Sequence, residues 1–106
     1  MAQWVLVCPV TALVKDAGVA ALVKGQQIAL FYLGGVVYAT GNLDPIRQSN
    51  VMSRGMTGDS EGELFVASPL HKERYSLTTG QCLDKQAYRI AIYPSRIEAD
   101  QVWLAI

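Results

Sequence analysis

The single histidine of the chain, His71, lies three positions after Ser68, and both side chains can take part in catalysis or metal binding. An imidazole with one carboxylate, such as that of Asp44, makes only half of a zinc site, because a catalytic zinc ion needs three protein ligands. A Ser–His nucleophile pair needs an orienting acid and an oxyanion site, and the segment contains neither. We therefore interpret His71 as a loop histidine.

The two cysteines, Cys8 and Cys82, each lie in a strand-like segment with no candidate catalytic base nearby in sequence. The N-terminal segment has no cationic lead and Pro9 interrupts its apolar run, so we expect no signal peptide and a reducing, cytoplasmic location. We therefore expect two reduced, small and buried apolar side chains rather than a disulfide or a reactive thiol.

An acidic run places Asp59, Glu61 and Glu63 at alternate positions. Carboxylates suit calcium, but the remaining ligands of a calcium loop are missing from this run. We interpret it as a solvated turn, and we expect neither a metal ion nor a catalytic residue in this chain.

Composition limits the kinds of partner. Nine Lys and Arg residues balance nine Asp and Glu residues, and hydrophobic residues make up 51% of the 106 positions. A chain of this length and composition is expected to pack as one domain, 1–106. The absence of a basic block argues against nucleic acid and anionic membranes as partners. The uncharged stretch 25–43 contains glutamines and a Gly-Gly pair, which favours two strands and a turn over a membrane span.

Short runs of branched and aromatic residues, punctuated by glycine, predict an all-β fold with the strand spacing of a sandwich or small barrel. Lys24-Gly25 and Gly34-Gly35 suit two-residue hairpin turns. Between the strand-rich halves, residues 41–62 look like a long loop, with a short helical turn conceivable only near 46–50. The predicted strands are 4–8, 18–23, 26–33, 36–40, 63–67, 74–77, 81–83, 88–93, 97–99 and 102–106.

Two loops, 41–62 and 68–73, leave the predicted sheets close together in sequence, and we call these two segments the tip. Long loops in compact domains tend to be functional. The second loop and the hairpin after it, "SPLHKERYSLTTGQCL", resemble the cluster-binding half of Rieske ferredoxin domains, which carry Cys-x-His in the first loop and Cys-x-x-His in the second. The positions that match are Pro69, His71, Tyr75, Thr79, Gly80, Cys82 and Leu83.

This resemblance implies an antiparallel Rieske-like β-sandwich with two protruding loops. It divides the domain into a base, 1–40 and 85–106, and a vestigial cluster-binding subdomain, 41–84. The ligand positions would be Asn42 and Asp44 in the first loop and Ser68 and His71 in the second. A Rieske centre requires two thiolates and two imidazoles. With one histidine in the whole chain, no register supplies that set.

Among Rieske-like proteins without these ligands, the chain resembles the small subunits of assimilatory NAD(P)H-dependent nitrite reductases. The matching residues are Gly41-Asn42, Asp44, Ser53-Arg54-Gly55, Ser68-Pro69-Leu70, Thr79-Gly80 and Cys82-Leu83. The resemblance implies an accessory subunit without a redox centre. Its partner would be the large subunit, which carries FAD, a [4Fe-4S] cluster and sirohaem and reduces nitrite to ammonium.

Basic side chains gather on the tip, where Arg and Met are typical of protein interfaces. We expect the tip to dock the partner, although an ordinary solvated surface would have a similar composition. Two other functions stay open: a Rieske-fold interaction module of another reductase, and a [2Fe-2S] electron carrier, against which the ligand count argues. The predicted docking residues are Arg47, Arg54, His71, Lys72 and Arg74.

Overall fold

Twelve β-strands and two short 3₁₀ helices account for the regular structure of residues 3–106, which this computed structural model describes. The 3₁₀ helices span Val10–Ala12 and Met52–Arg54. The all-β class predicted from the sequence is confirmed. The strands are β1 (Trp4–Pro9), β2 (Gly18–Val23), β3 (Gln26–Leu33), β4 (Val36–Gly41), β5 (Leu43–Asp44), β6 (Ser49–Asn50), β7 (Met56–Ser60), β8 (Glu63–Ala67), β9 (Arg74–Ser76), β10 (Ile92–Tyr93), β11 (Ser95–Glu98) and β12 (Gln101–Ala105).

Three antiparallel sheets and one small ladder organise these strands. The central sheet has the order β10-β4-β3-β2, the base sheet β1-β12-β11, and the third sheet β7-β8-β9. The ladder β5-β6 holds the start of the first loop. The division into a base and a separate subdomain stays a prediction.

Strand β3 separates two hydrophobic cores, because alternate side chains of a strand point to opposite faces. Ile28 and Leu30 pack with Val102 and Leu104 of the base sheet. On the opposite face, the core contains side chains from β3, β8, β9 and the second 3₁₀ helix, together with residues between β9 and β10. Its buried members are Ala29, Phe31, Met52, Val66, Tyr75, Leu77, Cys82 and Ile90.

The two predicted hairpin turns are confirmed. Lys24 and Gly25 have φ values of 50° and 76°, and Gly34 and Gly35 have 57° and 79°. Two consecutive positive φ values are typical of the two-residue turns that match the twist of antiparallel strands. These turns set the register of β2, β3 and β4.

The prediction for residues 41–62 is wrong in its second half, where β7 pairs along its whole length with β8. Polar residues and Gly58 hide this strand from the alternation pattern. A Cβ atom on Gly58 would come within 2.6 Å of the Phe65 ring, so the glycine leaves room for that ring on the neighbouring strand. The helical turn also lies elsewhere, at Met52–Arg54 rather than near 46–50.

The predicted strands 81–83 and 88–93 are only partly formed. Isolated bridges join Tyr75 to Cys82 and Gln81 to Arg89, and regular pairing begins at β10.

Among residues 3–106, no helix is long and apolar enough to cross a membrane.

Gly55 provides a test of the packing between the second 3₁₀ helix and β8. A Cβ atom there would clash with the Ala67 carbonyl oxygen and come within 2.7 Å of the Val66 side chain. We expect Gly55→Ala to lower the free energy of unfolding by about 1–3 kcal/mol in urea titrations. Gly41→Ala is the control, because its Cβ would meet Ala91 at an ordinary 3.6 Å. Equal losses for the two variants would contradict this account.

Candidate functional site

The second loop is a tight turn between β8 and β9. The Lys72 amide donates to the Ser68 carbonyl at 2.9 Å, and the Ser68 amide donates to the Glu73 carbonyl at 2.8 Å. Lys72 has a φ of 66°, which allows the chain to reverse here. The turn fixes Ser68 in a fully buried position and leaves His71 and Lys72 exposed.

The first loop turns around Asp44, a carboxylate that is fully buried. Its Oδ1 accepts hydrogen bonds from the backbone amides of Ile46 at 2.8 Å and Arg47 at 3.1 Å. The Gln48 amide donates to the Asp44 carbonyl at 2.8 Å. An aspartate that accepts from amides two and three residues later is a typical turn-forming arrangement. It directs Arg47 toward the second loop.

A direct hydrogen bond joins the two loops. The Ser68 hydroxyl donates to Asp44 Oδ2 at 2.6 Å, and the Leu70 amide donates to the same hydroxyl oxygen at 3.3 Å. The short distance is typical of a hydroxyl donating to an ionised carboxylate. Two of the predicted vestigial ligand positions are therefore in contact.

Arg47 extends this connection toward the surface. Its Nη1 lies 2.6 Å from Glu73 Oε1 and its Nη2 lies 2.9 Å from Oε2, so the pair is bidentate. Arg47 Nη2 also contacts His71 Nδ1, and Lys85 Nζ lies 3.2 Å from Glu73 Oε2. The guanidinium thus bridges Glu73 and His71, the third of the predicted ligand positions.

Both carboxylates have lowered pKa values. Burial would raise the pKa of Asp44, but the Ser68 hydroxyl and the backbone amides of Arg47 and Ile46 outweigh it, and the pKa lies below its ordinary value. Hydrogen bonding from Arg47 is the main reason that the pKa of Glu73 falls to about 2. Hydrogen bonds and nearby cations favour the charged form of a carboxylate, so both groups are anionic at neutral pH.

Asn42, the fourth predicted ligand position, is turned to other partners. Its amide nitrogen donates to Gln27 Oε1 at 3.1 Å and to the Asn50 carbonyl at 3.3 Å. Its amide oxygen accepts from the Ser53 backbone amide at 2.7 Å. Asn42 therefore joins the first loop to β3 and to the second 3₁₀ helix. It makes no hydrogen bond to Asp44, Ser68 or His71 within residues 3–106.

The five predicted docking residues fall into two groups. The first group, Arg47, His71 and Arg74, has partners within the domain. Arg47 contacts both Glu73 and His71, and Arg74 Nη2 lies 2.8 Å from Asp84 Oδ1. By contrast, Arg54 and Lys72 are exposed and have no ion pair in the described part of the chain. Sequence reasoning could not separate the groups, although an arginine three positions after a turn-forming aspartate was a signal for Arg47.

The tip does not fit a Rieske cluster. The groups that meet there are a carboxylate, a hydroxyl and an imidazole, with a guanidinium among them, whereas the cluster needs two thiolates and two imidazoles. Cys8 lies on β1 in the base sheet, and Cys82 is buried in the core with its sulfur accepting from the Lys85 amide at 3.3 Å. Across residues 3–106, no three His, Cys, Asp or Glu side chains form a group that could hold a metal ion.

Three sheets with two adjoining loops define a Rieske-like domain, here without the ligand set at its tip. The family model for the Rieske-like [2Fe-2S] domain matches residues 3–105, and the chain belongs to that family. The chain is 37% identical over 106 residues to the nitrite reductase (NADH) small subunit of Escherichia coli K12, covering 98% of each. Within the Rieske-like family it therefore belongs to the nitrite reductase small subunits.

Two further proteins add to this comparison. The solution structure of the nitrite reductase NAD(P)H small subunit from Erwinia carotovora superposes with a TM-score of 0.83 at 38% identity, covering 100% of this chain and 83% of that one. The nitrite reductase NAD(P)H large subunit of Klebsiella oxytoca matches at 40% identity over 101 residues. That match covers 95% of this chain but 11% of the Klebsiella protein, so a similar domain occurs there within a much longer polypeptide.

A double-mutant cycle tests the contact between the loops. Asp44→Ala would leave the Ser68 hydroxyl and two amides without their acceptor, so we expect a loss of about 2–4 kcal/mol in the free energy of unfolding. We expect Ser68→Ala to cost about 1–2 kcal/mol, with a coupling energy of about 1–2 kcal/mol between the sites. Asp59→Ala is the control, because this exposed side chain on β7 accepts one hydrogen bond, from the Gly62 amide, and should cost less. Additive losses from Asp44→Ala and Ser68→Ala would refute the contact.

Acid should weaken the ion pair at Glu73. Because its pKa is lower in the folded chain than its ordinary value of 4.5, its stabilisation is present above about pH 5 and is lost as the pH falls toward 2. We expect Glu73→Gln to reduce the acid-dependent loss of stability, measured by urea unfolding between about pH 6 and pH 3. Glu61→Gln makes the same change of charge in an exposed turn, and an equal reduction from it would contradict the assignment.

Proposed function

We propose that this chain is the accessory small subunit of an NAD(P)H-dependent nitrite reductase, which reduces nitrite to ammonium. The observation that carries the proposal is the tip, where Ser68 donates to Asp44 and Arg47 pairs with Glu73 in place of iron ligands. This geometry occurs in a chain similar along its length to nitrite reductase small subunits. The chain then supports a catalytic large subunit and has no redox centre of its own.

The geometry also favours a different register for the vestigial ligands. Because Asp44 contacts Ser68 and Asn42 does not, we propose that Asp44 occupies the place of the first thiolate. The Cys-x-His spacing then puts Ile46, rather than Asp44, at the place of the first imidazole. In the second loop, Ser68 and His71 keep the places predicted from the sequence.

The proposed partner is the nitrite reductase large subunit. A similar domain within the Klebsiella oxytoca large subunit supports it, since a domain joined to one chain of an enzyme in one organism can bind that chain separately in another. On the family resemblance, FAD, the [4Fe-4S] cluster and sirohaem belong to the large subunit, and the complex works in the cytoplasm. Nitrite binding and electron transfer would take place on the partner.

Co-expression with the large subunit of the same organism tests this function. We expect a complex in which NAD(P)H-dependent nitrite reduction is faster or more thermally stable than for the large subunit alone. The measurements are analytical ultracentrifugation, nitrite consumption and iron content of the lone chain. Failure to bind the large subunit, or capture of a reductase without sirohaem, would favour an interaction module of another reductase. An iron–sulfur spectrum from the lone chain would favour an electron carrier.

A further inference from the structure

A pocket of about 180 Å³ opens beside the second loop. At the ~30 Å³ that a liquid water occupies, it has room for about six waters or for the end of one side chain. Its walls come from the second 3₁₀ helix, the first residue of β7 and the turn after β8. The lining residues are Arg54, Met56, Ala67, Ser68, Pro69 and Lys72.

The pocket is bordered by two cations and lined by no acid. Arg54 and Lys72 come from different loops, and neither has an ion pair within residues 3–106. Two acids adjoin the lining residues: Glu73 follows Lys72 in sequence, and Asp44 accepts a hydrogen bond from Ser68. Both are already compensated, Glu73 by Arg47 and Lys85, and Asp44 by the Ser68 hydroxyl and backbone amides. The charge at the pocket mouth is therefore positive.

Apolar surface surrounds these cations. Met56 is 70% exposed and Leu70 is 42% exposed, next to a proline that is also exposed. Arginine and methionine are enriched at protein interfaces, and an apolar surround excludes water from a charge pair when a partner binds. The combination fits an acidic side chain on a protein surface better than a free small anion, which would leave Met56 and Leu70 uncovered.

We infer that this pocket receives an Asp or Glu side chain of the nitrite reductase large subunit, whose carboxylate lies between Arg54 and Lys72. The inference rests on the proposed function, because the large subunit is the partner named there. It narrows the predicted docking set from five residues to two. Arg47, His71 and Arg74 already have side-chain partners within the domain.

Charge reversal in the full complex tests the inference. We expect Arg54→Glu and Lys72→Glu each to weaken binding to the large subunit by about tenfold or more, with larger effects at low salt. Lys24→Glu, on the hairpin turn beside Ile106, is the matched control and should retain wild-type affinity. Arg54→Ala and Lys72→Ala repeat the test without adding a charge, and circular dichroism verifies that each variant is folded.

Zero-length coupling identifies the occupant. A carbodiimide activates a carboxylate as an O-acylisourea, and a lysine amine within contact distance attacks it to form an amide and release a urea. Treatment of the complex should join Lys72 to an Asp or Glu of the large subunit, identified by peptide mass spectrometry. Lys72→Arg should abolish this product, because a guanidinium does not form the amide under these conditions.

The outcomes separate this inference from the proposed function. If the wild-type complex forms but neither reversal weakens it, the pocket is not the docking site and the small-subunit function stands. If the wild-type chain does not bind the large subunit, both proposals are wrong. If the lone chain self-associates and the reversals abolish that association, a second copy occupies the pocket and the inference is overturned.

Discussion

The hydrogen bond from Ser68 to the buried Asp44 carboxylate holds together two loops that are 24 residues apart. In the Rieske ferredoxin domains that this chain resembles, the two loops carry the ligands of an iron–sulfur cluster. Here the link consists of side chains, and each hydrogen bond to a charged group contributes only about 1.5–3 kcal/mol. A buried carboxylate is tolerated at this place because it has three donors within the two loops. The replacement works only if the whole polar set is satisfied.

The need to satisfy these buried polar groups also affects the charged residues around Asp44. The bidentate pair of Arg47 with Glu73 and the contact of Lys85 with Glu73 neutralise the Glu73 carboxylate beside the loop junction. Because these cations are used internally, they contribute little field outside the domain. The positive charge available to a partner comes from Arg54 and Lys72, which lie just beyond the network. The structural and docking roles of the basic residues are therefore carried by different side chains.

The sequence predicted the β-meander well, because branched residues and glycine turns are local signals. Strands β2, β3 and β8 have the predicted boundaries, and the turns at Lys24-Gly25 and Gly34-Gly35 are as expected. Strand β7 was not predicted, because a glycine in its middle reads as a loop signal. Gly58 is required there by the Phe65 ring on the neighbouring strand, which the sequence pattern does not show. The partners of Arg47 and Arg74 were also not predictable, because Glu73 and Asp84 reach them only through the fold.

The same limit applies to the proposed register of the vestigial ligands. The sequence pattern places Asn42 at the cysteine position of Cys-x-His and Asp44 at the histidine position, because spacing alone does not show which side chain points toward the second loop. In the structure, Asn42 is occupied by Gln27, Asn50 and the Ser53 amide, so it stabilises the base of the loop. Of the two side chains, only Asp44 is hydrogen-bonded to Ser68. An amide at position 42 can satisfy donors and acceptors together, whereas the carboxylate of Asp44 can only accept. The chemistry of each side chain thus matches the neighbours that the fold provides.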